Sequence, residues 1–394
     1  MSSIPVPGEF VTVHTKYNVI LTTYSWTRGG VRPNWTRRQP AFGGGLIDRK
    51  TQAYGEQVAA WCNQFNVDFL SGYYQPVGDN PLANFRTSLW RATNLGRVKL
   101  VHMAGLEGFP ATRTKIQNEV IAWGTEMRNA KYGRIKDRAG NLRPVVIFWG
   151  NQYVNNYGDF LNMIAAIRQA LTPVVGNPFI ILTEHICGLA GANVPGAVQV
   201  MNAIDGVYNH ACGLPWDTCG GCDRSNVEWD ASQSASQLAS NLRAQTAVAA
   251  RFGKIHFSGT MPHFDRDLFE SLVEGRGLAN QGRVTARTPQ QLRQILNTAA
   301  SFTPVVFSES RMETDGEHIY NEKWIILSTL NEWEEGSTFE PSLVRSAAPY
   351  ADGNYDYGTD GLQAISEIFR DTVRRLRSSE LPDRERAGVT TTAV

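Results

Sequence analysis

Eight short runs that are apolar on both faces, with amphipathic helical stretches between them, predict an α/β fold of the (β/α)8 TIM-barrel class. The candidate strands are residues 18–24, 67–73, 98–103, 144–149, 179–183, 206–208, 254–259 and 325–330. Such runs suit parallel strands buried on both sides, and a parallel strand requires a crossover connection before its neighbour.

The connections have the helical period. Residues 50–65 place Tyr54, Val58, Ala59, Trp61 and Cys62 on one face, and residues 111–130 do the same with Ile116, Val120, Ile121 and Trp123. Residues 156–171 carry Phe160, Met163, Ile164 and Ile167; residues 232–252 and 288–300 continue the pattern, and residues 361–376 close it as a last helix. Thr303–Phe307 is a ninth strand candidate, and residues 265–285 carry no clear assignment, so a doubly wound open sheet is the structural rival. The expected organisation is a single barrel domain over residues 1–378 with elaborated βα loops, followed by a charged, then Thr-rich, disordered tail at 379–394.

The chain of 394 residues balances 38 basic against 37 acidic residues, a net charge of +1 that argues against nucleic acid as a partner. No run approaches the length of a membrane-spanning helix, and no secretory leader is visible, which predicts a protein without membrane insertion. As written it is cytoplasmic, or exported by a route that the chain does not encode. Ten Trp, thirteen Tyr and seventeen Phe supply many flat apolar faces, on which the C–H faces of sugars dock, although much of this set serves the core.

The last strong strand candidate runs directly into Asn331-Glu332-Trp333-Glu334-Glu335-Gly336-Ser337-Thr338-Phe339-Glu340-Pro341. In a barrel, catalytic groups sit at the carboxyl ends of strands and in the loops that follow. Glycosidic cleavage needs one carboxylic acid to protonate the leaving oxygen and a second carboxylate on the other side of the anomeric carbon. Glu332 and Glu335 are three apart across a turn and can face one cleft. A Glu-rich loop is in general a solvated face, but Trp333 and Phe339 have little place in a purely solvated loop.

This segment resembles the signature of glycoside hydrolase family 99, the endo-α-mannosidase family, and of related proteins of bacterial polysaccharide loci. There a strand leads into Asn-Glu-Trp-x-Glu-Gly, followed shortly by Glu-Pro, and Asn331, Glu332, Trp333, Glu335, Gly336, Glu340 and Pro341 stand in that register. Weaker echoes are Tyr24-Ser25-Trp26, Phe42-Gly43-Gly44-Gly45 with Asp48, Ile204-Asp205-Gly206-Val207-Tyr208, and Asp315-Gly316 with Tyr320 and Trp324. The stretch before the last strand is compressed and the aromatic opening is reduced to Tyr24-Ser25-Trp26, departures that bear on substrate more than on chemistry.

The resemblance implies a retaining hydrolase, endo-acting on an α-mannoside or similar glycan, that needs no metal or other cofactor. Glu332 would be the base on the substrate's own 2-hydroxyl, giving a 1,2-anhydro sugar. Glu335 would be the acid that protonates the leaving oxygen and then the base that activates water. The variable position takes Glu334, read as a bystander. Two further readings stay open: a related barrel hydrolase acting on another microbial or capsular polysaccharide, and a catalytically idle protein that binds glycan or assists polysaccharide assembly.

Polar and aromatic residues at successive strand ends form a candidate ring for sugar hydroxyls. Tyr24, Trp26, Trp149, Glu184, His185, Tyr208, His210, Trp333 and Glu340 are the expected substrate contacts. Glu107, Asn151, Tyr153, His263 and Asp265 occupy comparable positions, whereas Asp205 is expected to brace its strand. His210, Cys212, Cys219 and Cys222 cluster after the sixth strand, and three readings stay open: a zinc site, a disulfide of Cys212 with Cys219 or Cys222, and plain thiols. Cys62 and Cys187 read as inert core. Gly43-Gly44-Gly45 lacks the Lys-Ser/Thr of a phosphate loop and reads as a tight turn.

Overall fold

The computed structural model describes residues 10–23, 38–40, 49–77, 82–137, 141–150, 154, 156–183, 196–208, 228–229, 231–261, 283–284, 288–301, 312–314, 318–330, 339–344, 360–369 and 372–377. Among these residues, eight parallel strands alternate with eight helices. The strands are β1 Phe10–Thr23, β2 Phe69–Tyr74, β3 Lys99–Gly105, β4 Leu142–Trp149, β5 Phe179–Thr183, β6 Gly206–Tyr208, β7 Ile255–Thr260 and β8 His318–Leu327. The helices are α1 Gln52–Gln64, α2 Leu82–Thr87, α3 Arg113–Ala122, α4 Tyr157–Val175, α5 Ala197–Ala203, α6 Ala231–Arg251, α7 Pro289–Ser301 and α8 Asp360–Ile368.

Each strand pairs with its sequence neighbour, and β8 pairs with β1, so the sheet closes on itself. Following the registers once around the ring from Thr22 of β1 leads back to His14 of the same strand, a shift of eight residues. Eight strands with a shear of eight are the geometry of a (β/α)8 barrel, in which tilted strands bring inward side chains into layers. The rival open sheet is thereby excluded.

Two apolar clusters follow from that geometry. Inside the barrel, Ile20, Val101, Met103, Ile147, Phe257 and Ile326 pack against one another. Gly206 serves this interior, because a Cβ there would stand 2.5 Å from a ring carbon of Phe257. Outside, the other strand faces meet the helices: α1 buries Tyr54, Val58, Ala59 and Cys62, and α4 buries Phe160, Met163, Ile164, Ile167 and Leu171. Both helices begin as their sequences imply, with Thr51 accepting from the Tyr54 amide (3.2 Å) and Asn156 from the Asp159 amide (3.2 Å).

At the amino-terminal end, Asp205 is the brace its position suggests. Its carboxylate takes both terminal nitrogens of Arg143, in β4, at 2.9 Å each, and Arg168 of α4 at 2.9 Å. It also accepts the Ile180 amide at 2.9 Å, so one carboxylate ties β4, β5, β6 and α4 together.

All eight strand candidates are barrel strands, and β5 and β6 have the expected bounds. The last helix differs from expectation. It stops at Ile368, and Thr372–Arg377 forms a strand antiparallel to Phe10–Thr15 of β1. The cause is tertiary: β1 and β8 run together for ten residue pairs, of which the seven from Thr12–His318 to Asn18–Trp324 lie beyond what β2 and β7 cover, and an open edge recruits a strand from a segment whose helical period is weak. Met312–Thr314 covers β8 in the same way. The short helices α2 and α5 were absent from the expectation. The strand candidate Thr303–Phe307 and the tail 379–394 lie outside the described residues, and of 265–285 only Arg283–Val284 is described, paired in parallel with Glu228–Trp229. No helix among the described residues is long and apolar enough to cross a membrane.

Candidate active site at the carboxyl-terminal mouth of the barrel

The acid-rich segment is anchored at both ends on the carboxyl-terminal end of β8. On the way in, Ser328 donates its amide to Thr260 O (3.1 Å) and Leu330 to Thr22 O (2.7 Å), which holds the exit from β8 between β7 and β1. On the way back, the Phe339 amide reaches Thr329 O (3.0 Å) and Leu330 O (3.1 Å), and the Glu340 amide reaches Leu330 O (2.8 Å). Leu330 and Phe339, on either side of residues 331–338, therefore meet at one point. Glu332, Trp333 and Glu335, within residues 331–338, lie outside the described residues.

The return leg is tied to the segment after β1. Ser342–Val344 pairs antiparallel with Arg38–Pro40, and Arg49 Nη2 lies 3.7 Å from Glu340 Oε2. Both partners are buried, Glu340 at 0% exposure and Arg49 at 4%, so Glu340 presents its charge to Arg49 and not to solvent. Phe339 is buried against Gly361 of α8, whose missing Cβ leaves room for the Phe339 backbone.

Across the ring, β2, β3 and β4 build a second polar feature. Gly105 ends β3 on the face that Val101 and Met103 turn into the barrel, as strand alternation requires. The Glu107 carboxyl folds back over it, so that a Cβ on Gly105 would collide with Glu107 Oε2 and the Tyr73 hydroxyl. That hydroxyl donates to Glu107 Oε1. Burial raises the Glu107 pKa above the usual carboxylate range, against the smaller opposing pull of the Tyr73 hydroxyl and the residue's own backbone. Trp149, partly exposed at the end of β4, meets the Tyr73 ring edge-on at 5.8 Å and 88°.

Backbone bonds hold these strand ends in register. Leu106 donates to Trp149 O (2.9 Å), while Thr183 of β5 accepts the Gly150 amide (2.9 Å) and donates to Phe148 O (3.1 Å). Tyr208 sits within the barrel at 0% exposure, its hydroxyl 3.7 Å from Met103 Sδ, and burial pushes its pKa up. The structure thus brings Trp149 to the mouth, and places Tyr208 beneath it and Glu340 behind the neck of the loop.

Tyr24, Trp26, Glu184, His185, His210, Cys212, Cys219 and Cys222 lie outside the described residues, as do Asn151, Tyr153, His263, Asp265 and Cys187. Among the described residues no three His, Cys, Asp or Glu side chains gather as a metal site. Cys62 is a buried free thiol whose pKa burial pushes up, as expected of inert core. Sequence reasoning missed Arg49 and Tyr73. Arg49 carries no local signal, whereas the position of Tyr73 at the end of a predicted strand could have marked it.

No family model and no curated protein matches the chain by sequence. Solved structures do match its fold. A glycoside hydrolase-like protein superposes with a TM-score of 0.59 over 94% of this chain and 98% of its own, at 14% identity. The GH99 endo-α-mannosidase from Bacteroides thetaiotaomicron, in complex with bis-tris-propane, gives 0.59 over 89% of this chain and 95% of its own, at 13% identity. A second structure of that enzyme gives 0.57 over 89% and 96%, at 14% identity. In fold, this chain is similar to GH99 endo-α-mannosidases and to a glycoside hydrolase-like protein along nearly its whole length.

Proposed function

We propose that this chain is a glycoside hydrolase, retaining and endo-acting on an α-mannoside or similar glycan, with Glu332 and Glu335 as its catalytic pair. The observation that carries this reading is the closed neck formed by Leu330, Phe339 and Glu340, which attaches residues 331–338 to the carboxyl-terminal end of the last barrel strand. That rim is where barrels of this class carry their chemistry. The likeness in fold to GH99 endo-α-mannosidases supports it further, since the signature of that family stands in register at this point of the sequence.

In the proposed reaction Glu332 removes the proton of the 2-hydroxyl, and that oxygen displaces the leaving group at the anomeric carbon. Glu335 protonates the departing oxygen. The resulting carboxylate of Glu335 then takes a proton from water as the water opens the 1,2-anhydro ring at the anomeric carbon, Glu332 returns its proton to O2, and two displacements leave the configuration retained. Two neighbouring carboxyls push their pKa values apart, which suits one ionised base and one protonated acid. Trp149 at the mouth, with Tyr24, Trp26, Glu184, His185, His210 and Trp333, would line the glycan path.

The test is a screen of the purified protein against α-mannans and bacterial surface polysaccharides, reading reducing-end release. The expected result is release from at least one, abolished in Glu335→Gln. Glycan binding without release, unchanged by Glu335→Gln, would replace the hydrolase with a binding protein.

A further inference from the structure

The carboxyl of Glu107 stands where the barrel would ordinarily place an inward side chain of β3. Gly105 provides the vacancy, and the carboxyl fills it against the Tyr73 hydroxyl of β2, while Trp149, the partner of Gly105 in β4, packs edge-on against the Tyr73 ring. One oxygen, Oε1, is held by the Tyr73 hydroxyl. The other, Oε2, is buried and has no hydrogen-bond partner among the described residues. A buried acceptor left unpaired costs stability, and a carboxyl serving only to fill space would be better replaced by an apolar side chain. A carboxyl with one oxygen oriented by the protein and one unsatisfied, beside a partly exposed indole, has the composition of a sugar-binding position: a polar anchor for a hydroxyl and an apolar face for the ring.

The position matters as much as the composition. Around the closed ring β4 lies opposite β8, so Trp149 stands across from the neck of the acid-rich segment, with Glu107 and Tyr73 one and two strands nearer to it. We propose that Glu107, oriented by Tyr73 and flanked by Trp149, binds a hydroxyl of a glycan sugar in a subsite on the β2–β4 side of the mouth. This assignment rests on the hydrolase reading for its ligand class. It adds a specificity-determining contact apart from the residues that cleave.

Kinetics and calorimetry with an α-mannan oligosaccharide test it. Glu107→Gln keeps the shape and removes the charge, and should raise KM about 10- to 100-fold with kcat within about threefold, the pattern of a contact made equally in ground and transition states. Tyr73→Phe, which releases Oε1 but leaves the carboxyl, should raise KM about 3- to 10-fold and carries the test if Glu107→Gln does not fold. A wild-type KM in a folded Glu107→Gln, or in Tyr73→Phe, would reduce the pair to a structural brace and overturn the subsite while leaving the hydrolase reading intact. If the wild type binds the oligosaccharide without cutting it, the hydrolase reading fails, and loss of that binding in Glu107→Gln still supports the subsite. If the wild type neither binds nor cuts any glycan, both fall.

Discussion

Arg49 and Glu340 form a buried ion pair, Nη2 to Oε2 at 3.7 Å, that joins the residues before α1 to the residue just past the acid-rich segment. Both charges are out of solvent and face each other. Glu340→Gln should therefore destabilise the fold by about 3 kcal/mol, because it removes a buried charge that faces the Arg49 guanidinium. The double variant Arg49→Met with Glu340→Leu should recover most of that loss. Urea denaturation of the three proteins decides it, and a single variant within about 1 kcal/mol of wild type would show that the pair contributes little.

Asp205 offers a contrast, because its four bonds lie at the amino-terminal end, away from the mouth. Asp205→Ala should cost about 3 kcal/mol of stability by leaving Arg143 and Arg168 to repel each other without their shared acceptor. Substrate KM should not change. A variant with full stability, or with an altered KM, would contradict the assignment of Asp205 as a brace.

Two buried histidines set an acid limit on stability. Burial, and for His102 also the nearby Arg86 charge, pulls each pKa down to about 3. His256 is further held between Gln245 (2.9 Å) and Thr246 (3.1 Å). Both folded values lie below the unfolded imidazole, so between about pH 6.5 and 3 the unfolded chain binds protons that the folded chain does not. Stability should be flat with respect to these groups above about pH 6.5 and fall progressively below it. Melting temperature against pH measures this, and His102→Phe should flatten the slope relative to wild type. An unchanged slope in that variant would mean His102 is not the source.

The proposed catalytic pair, Glu332 and Glu335, predicts a substrate-dependent split. Glu335→Gln should lose activity by about two to four orders of magnitude on natural glycans, and much less in the first step on aryl glycosides whose leaving groups need no proton. Glu332→Gln should be inactive on both. Fresh product with inverted anomeric configuration by NMR would rule out the anhydro route and recast the pair as acid and water-activating base.

Much of the fold is legible in the chain itself. The eight barrel strands stand out because buried parallel strands must be apolar on both faces, as in Val145–Phe148 and Phe179–Leu182, and α4 announces itself through Asn156 and the spacing of Phe160, Met163, Ile164 and Ile167. The segment Asn331–Pro341 marks itself by unusual local composition at a strand end. Other features depend on pairs far apart in sequence. Closure of β1 on β8 joins residues about three hundred positions apart, and the surplus length of that pair is what turns Thr372–Arg377 from helix to strand. Glu107 reads in sequence as one strand-end acid among several. Only the barrel's shear sets the end of β3 beside Tyr73 and Trp149, and only the absence of a side chain at Gly105 lets the carboxyl fold back against the Tyr73 hydroxyl. Local periodicity reports which face of an element is buried; which residues meet across the ring is decided by register, and register is a property of the closed sheet.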